Sequence, residues 1–274
     1  MQHPVLVPLC AAWLAHIEFN ANEMEPMLQH VLEALQLAQA DHHATLARVS
    51  LVVADAFHYA GRFDLAKDWY AAVRQHALAE GDDAMISAML HNVAALRTNQ
   101  VRVADAFKEP QPADMRRALL ELESTRNYDL GIGTLSLASF LPLVRAQLLT
   151  VEGRYVEALA LFSEVLDQRR PDNLERREAC FFADRAWCNL QIGQQELALA
   201  DIQSACDREV VPADLDDAAT THARLAEVLD RLGDTDRGLA HRRTAADLRC
   251  KHIAEQESLL SRLLEALAGQ RPVL

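Results

Sequence analysis

Apolar and polar positions follow one another along this chain at helical spacing, and glycine interrupts them at intervals. Leu143–Leu166, reading LVRAQLLTVEGRYVEALALFSEVL, shows the pattern most plainly. Leu143, Val144, Leu148 and Leu149 make one apolar face, and Gly153 ends that helix. A second helix starts beside Tyr155 and turns Ala158, Leu159, Phe162, Val165 and Leu166 to one side. A helix pair this short cannot bury both of its faces alone, so it requires similar pairs stacked on either side.

With glycine as the ruler, the chain supplies them. Gly153, Gly193 and Gly233 lie 40 residues apart, each between two helical patterns. Ala146, Ala186 and Ala226 stand seven residues before them, and Ala158, Ala198 and Gly238 five after, small residues where two helices approach closely. Gly61 heads the same layout, with Ala54 before it and Phe63, Ala66 and Tyr70 after it. A weaker copy centres on Asn99, between Ala95 and Ala104.

A small residue on the first helix, a turn glycine, then an aromatic, an alanine and a second aromatic: this order resembles the tetratricopeptide repeat. Leu51–Val73, containing AGRFDLAKDWYAAV, carries it best, and Leu143–Leu166 nearly as well. The aromatic positions are Gln195 and Ile202 after Gly193, and Thr235 and Arg242 after Gly233, which departs from the family pattern. The resemblance implies an all-α fold, a right-handed α-solenoid superhelix of stacked antiparallel helix pairs. Its period of about 40 exceeds the family's usual 34, as in the extended variants of bacterial regulators.

Taken in order, residues 1–274 read as a single repeat domain. The apolar start is interrupted by Pro4 and Pro8, has no basic segment, and is too short to span a bilayer. It reads as a first helix whose Trp13, Leu14 and Ile17 cap the stack. Glu23–Ala40 follows as an amphipathic helix with Met27, Val31, Leu35 and Leu37 inward, then His43–Ala60 with Asp64–Ala79 as the first clear repeat. Asp83–Thr98 opens the weak repeat. Pro110 and Pro112 demand a loop before a helix at Ala113–Arg126, and Gly131-Ile-Gly133 makes a second break, so the stack can divide into lobes around 108–133. Ser136 stands where a phosphate-binding glycine loop would need its third glycine. Pro171-Asp172 and Pro212 with Asp214 open two further helices. From Thr235 to Ala268 no proline occurs and the only glycine is Gly238, which predicts one long last helix over 235–268 that serves as a cap, a dimerisation element or a linker.

Composition then narrows the function. With 27 basic against 40 acidic residues the net charge is −13, which excludes a large phosphate-backbone contact and leaves nucleic acid and anionic membranes as poor partners. Five scattered cysteines form neither a disulfide framework nor a CxxC site, which suits a reducing cytoplasm. Eleven histidines include no HExxH, and the Asp214, Asp216, Asp217 run lacks the spacing of a calcium loop. No metal, cofactor or catalytic residue is assigned, and the chain reads as non-enzymatic.

The resemblance implies a protein or peptide partner in a concave groove lined by first-helix residues. Counting back from the turn glycines places Arg48, Asp55, His58, Tyr59, Gln147, Trp187, Gln191, Glu227 and Arg231 there. Arg145, Arg185 and Arg224, one per repeat, form a ladder that either faces an acidic ligand or pairs with carboxylates such as Glu157, Asp184 or Glu227. A second resemblance, carried by HRRTAADLRCKHIAEQESLLSRLLEAL, is to the repeat-built sensory halves of bacterial diguanylate cyclases, although no GGDEF signature is present. It implies the alternative: a regulatory dimer module acting through the last helix, with Ile253, Leu260, Leu263 and Leu267 as its seam.

Overall fold

A computed structural model describes residues 5–110, 115–134, 139–167, 174–208 and 214–273. Among them lie twelve α-helices and no strand. They are α1 (Leu6–Asn20), α2 (Met24–Leu37), α3 (His43–Tyr59), α4 (Phe63–Glu80), α5 (Asp83–Ala106), α6 (Met115–Ile132), α7 (Phe140–Val151), α8 (Tyr155–Leu166), α9 (Glu178–Gln191), α10 (Gln195–Arg208), α11 (Leu215–Arg231) and α12 (Thr235–Ala266). Pro4, Pro112, Ala113, Ser136, Pro171, Asp172 and Pro212 lie outside the described residues. No helix of the described residues is long and apolar enough to cross a membrane.

The glycines act as the periodicity requires. Gly61, Gly153, Gly193 and Gly233 are all left-handed. At Gly153 (φ +77°) the Arg154 N–H donates to the Leu149 carbonyl and the Gly153 N–H to Thr150, and the same pair of bonds closes the other three turns. A Cβ at Gly153 would touch only the Tyr155 ring, at 3.8 Å, so the requirement is conformational and not one of space. Gly153→Ala should therefore cost about 1–2 kcal/mol. Gly131→Ala, inside α6 with open space around the added methyl, should stabilise by about 0.5–1 kcal/mol. Urea unfolding of the two variants checks the opposite signs.

The chain falls into two compact units, Met1–Leu96 with Ala254–Leu274, and Arg97–Ile253. The division lies inside α5 and α12, not within 108–133. In the first unit α1 packs on α2 and α3, and α3 on α4. In the second, α7 pairs with α8 and α9 with α10, while α7, α9 and α11 contact one another in succession, as the first helices of stacked pairs must. Its core is continuous: Leu143, Ala146, Ala158 and Phe162 join Phe181 and Cys188 of α9. The far face of α9 (Phe182, Ala183, Trp187) packs with Ala198, Ile202, Leu225 and Leu229.

Four sequence expectations are corrected. Asn99 is no turn: α5 runs through it to Ala106, because its side chain is hydrogen-bonded to Asp216 and Arg177 and not to its own backbone. α6 passes Gly131 and stops at Gly133. On α2 the buried residues are Met27, Leu28, Val31 and Ala34, while Leu37 is exposed. Trp13, Leu14 and Ile17 do not cap the stack; α1 packs through Pro8, Ala11, Ala12 and Ala15 and leaves the large side chains outside.

Candidate functional site

The end of α5 and the turn after it present Asn99, Arg102, Asp105 and Lys108 in succession. Each meets a partner from α9, α11 or the turn before α9. Asn99 donates to Asp216 at 3.0 Å and accepts from Arg177 at 2.8 Å. Arg102 donates from Nε to Asp184 at 3.0 Å and from Nη1 to Asp217 at 2.7 Å. Asp105 accepts from Arg224, which also donates to Asp184 at 3.3 Å. Lys108 reaches Glu227 at 3.4 Å, and the next residue, Glu109, accepts from Arg249 of α12 at 3.0 Å. Lys108 takes the left-handed turn position (φ +55°) that glycine holds elsewhere.

Asp184 is the hub of this network. It also accepts from Gln147 of α7 at 3.1 Å, so residues of three other helices converge on one carboxylate that is 1 % exposed. Arg102 and Arg224 are buried to the same degree. Burial works against the charge on both arginines, but Asp184 with Asp217, and Asp184 with Asp105, hold their guanidinium groups firmly protonated. Burial and the neighbouring Asp217 push the Asp216 carboxyl up, while Arg177 and Arg102 outweigh burial and keep Asp217 below its ordinary range. The network thus sets three arginines against four aspartates, of which Asp216 is the one whose carboxyl is pushed up. Burial, reinforced by Asp217, raises Cys180 well above the usual thiol range, and burial pushes Cys188 up to about 12, so neither is a thiolate at neutral pH.

Around the network's open end stands Trp187, 6 % exposed, with the guanidinium carbons of Arg231 and Arg224 at 4.5 and 5.3 Å from its ring and the Lys108 ammonium at 5.9 Å. Glu227 ties Arg231 and Lys108 together at 3.4 Å each. Gln147, Trp187, Glu227 and Arg231 therefore gather around the end of α5. Gln191 is half-buried, with its Nε2 enclosed and lacking a hydrogen-bond partner.

The first unit repeats the arrangement. Asp55 accepts from Tyr70 and from Asn92 of α5, at 2.7 Å each, and Tyr70 accepts from His58 at 3.2 Å. Burial, opposed by those two donors, pushes Asp55 up to about 7. The Tyr59 hydroxyl donates to Glu255 of α12 at 3.1 Å, and Gln256 donates to the Tyr59 carbonyl. The Arg48 guanidinium carbon lies over the Trp13 ring, 3.8 Å from its centre. In both units, then, positions that counting assigns to a ligand groove are taken by a helix of this chain. Sequence reasoning predicted helices at Asp83–Thr98 and 235–268 but not that they lie against these positions.

The three ladder arginines have separate surroundings. Arg145 is exposed and 3.6 Å from Glu123, Arg185 is clamped by Asp201 (2.6 Å) and Asp167 (2.7 Å), and Arg224 is the buried partner of Asp184 and Asp105. On α12, Ile253 is exposed, Leu260 half-buried and Leu263 buried, and Leu267 just after the helix is buried as well. Arg262 pairs with Glu25, and His76 donates from Nε2 to the Val273 carbonyl at 2.8 Å, so the end of the chain is tied to α2, α3 and α4.

A cleft of about 520 Å³ lies between α6, α7 and α8. Leu122, Leu130, Leu141 and Leu161 line it, with Arg126, Arg145 and Glu164 among the charged side chains around them. Among the described residues no three His, Cys, Asp or Glu side chains are placed to hold a metal ion. No family model matches this chain, and no curated protein or solved structure does so either.

Proposed function

We propose that this chain is a non-enzymatic, cytoplasmic interaction scaffold of the tetratricopeptide type that takes a helical or extended segment of a partner protein in the cleft between α6, α7 and α8. The cleft carries the reading. It combines leucine side chains with charges of both signs, the composition that suits an amphipathic segment, and its volume falls in the range of binding clefts. The end of α5 supports it by example, since a helix is already held on α9 and α11 by ion pairs and an aromatic anchor. The groove positions serve the chain's own helices, so the partner's place is elsewhere. The regulatory-dimer reading draws no support from α12 and the turn after it, whose Leu263 and Leu267 are buried.

Selection of displayed 15-residue peptides against the intact protein tests this. Selected peptides should bind the wild type and lose at least tenfold in affinity when Leu130 and Arg145, both exposed at the cleft, are changed to glutamate, with helicity and urea midpoint unchanged. Failure to enrich any peptide, or binding indifferent to those two changes, would sink the proposal.

A further inference from the structure

The charges around the cleft between α6, α7 and α8 are not evenly balanced. Leu119, Leu122, Leu141, Pro142 and Leu161 supply its apolar lining, and each arginine along it is already engaged. Arg126 and Arg145 share Glu123, at 3.5 and 3.6 Å. Arg154 is clamped between Glu157 at 2.6 Å and Glu152 at 3.3 Å. Its bond to Glu157, with Arg145 further off, holds that carboxyl below its ordinary range. Asp129 and Glu164 line the cleft as well. Glu164 is exposed and has no ion-pair partner among the described residues. Three arginines thus stand against five acidic side chains, on a chain whose net charge is −13.

We propose, resting on the reading that this cleft holds a segment of a partner protein, that the segment is a basic amphipathic helix. Its apolar side chains, at steps of three and four, meet the leucines, and Lys or Arg beside them meets Glu164 and Glu123. An acidic segment would bring carboxylates to arginines that Glu123, Glu152 and Glu157 already compensate, and the chain as a whole would repel it. A basic one finds Glu164 uncompensated and is drawn in by the same field. Glu123 is also available to it. Its two contacts are longer than the roughly 2.7–2.9 Å of a charge-assisted hydrogen bond, so it can turn to a ligand cation without breaking a tight pair. These charges are exposed, so they govern association rate and choice of partner, while the leucines govern dissociation.

That separation lets the sign of the partner's charge be read apart from occupancy of the cleft. The loss of affinity expected on changing Leu130 and Arg145 to glutamate reports occupancy and lies in dissociation, because a carboxylate at Leu130 faces apolar side chains. Stopped-flow association of the selected 15-residue peptides at low salt reads the charge. The peptides should be rich in Lys or Arg, and copies with Gln at those positions should associate about tenfold more slowly, a difference that high salt erases. Arg145→Gln, which releases Glu123 from one arginine, should speed association of the basic peptide. Glu164→Lys should slow it, and Glu196→Lys, the same change at an exposed position on α10, should slow it far less. Peptides that occupy the cleft but are acidic or neutral overturn the inference, as does association that Arg145→Gln slows. Equal effects of the two lysine variants overturn it too, since the attraction then belongs to the whole chain. A selection that enriches no peptide overturns both this inference and the reading beneath it.

Discussion

Changing Asp184 to alanine should destabilise the second unit by about 3–5 kcal/mol, the usual result of stranding a buried charge. Its carboxylate is shared by Arg102, Arg224 and Gln147, with both arginines 1 % exposed. Removing it leaves two buried guanidinium groups without their common counter-charge, in a protein whose total stability is expected to be on the order of 5–15 kcal/mol. Amide exchange in α9 and α11 reads this unit alone and is the measurement of choice, since two units need not unfold together. Asp207→Ala, on an exposed side chain that among the described residues is bonded to Gln203, should change little. A loss under about 1 kcal/mol for Asp184→Ala, well below that expected of a buried pair, would show that the network does not hold α5 in place.

The second large effect is on pH dependence. Asp55 is pushed up to about 7 by burial, against an ordinary value of 3.8. The folded state therefore keeps a proton that the unfolded chain releases from about pH 4. Stability from this group is complete below pH 4, falls as pH rises, and is lost above pH 7. Asp55→Asn removes the ionisation while keeping an acceptor for Tyr70 or Asn92. Measured by urea unfolding, the variant should gain on the wild type by on the order of 3–4 kcal/mol between pH 4 and 8. The difference between the two proteins is what matters, because His16, His222 and His252 act in the opposite sense. Burial lowers each to about 4, so their contribution is lost as pH falls from 6.5 through 4. A difference that does not vary with pH would mean that Asp55 is ionised in the folded protein throughout.

The helix pairs were legible because two constraints coincide in the sequence. Gly61, Gly153, Gly193 and Gly233 satisfy a backbone requirement other residues meet only with strain, and the apolar positions between them repeat at 3.6 residues. Asn99 misled because its poor helix propensity is overridden by bonds to Asp216 and Arg177, more than 70 residues away in sequence. α1 misled because periodicity cannot tell inside from outside on a helix with alanines on one face and leucine, tryptophan and isoleucine on the other. For the candidate site, counting from the glycines located Trp187, Glu227 and Arg231 but carried no information on what lies against them. That depended on Arg102 and Lys108, whose pairing with distant carboxylates no local spacing encodes.

The first unit is assembled from two stretches of chain, Met1–Leu96 and Ala254–Leu274. Arg97–Ile253 is continuous and can complete its folding as it leaves the ribosome, whereas α1 to α4 must wait for residues more than 150 positions further on. For the roughly 8–30 seconds that synthesis at about 5–20 residues per second requires, Tyr59 and His76 lack Glu255, Gln256 and the Val273 carbonyl. A chain that stops near Cys250 would thus lack part of its N-terminal unit while keeping almost all of the second.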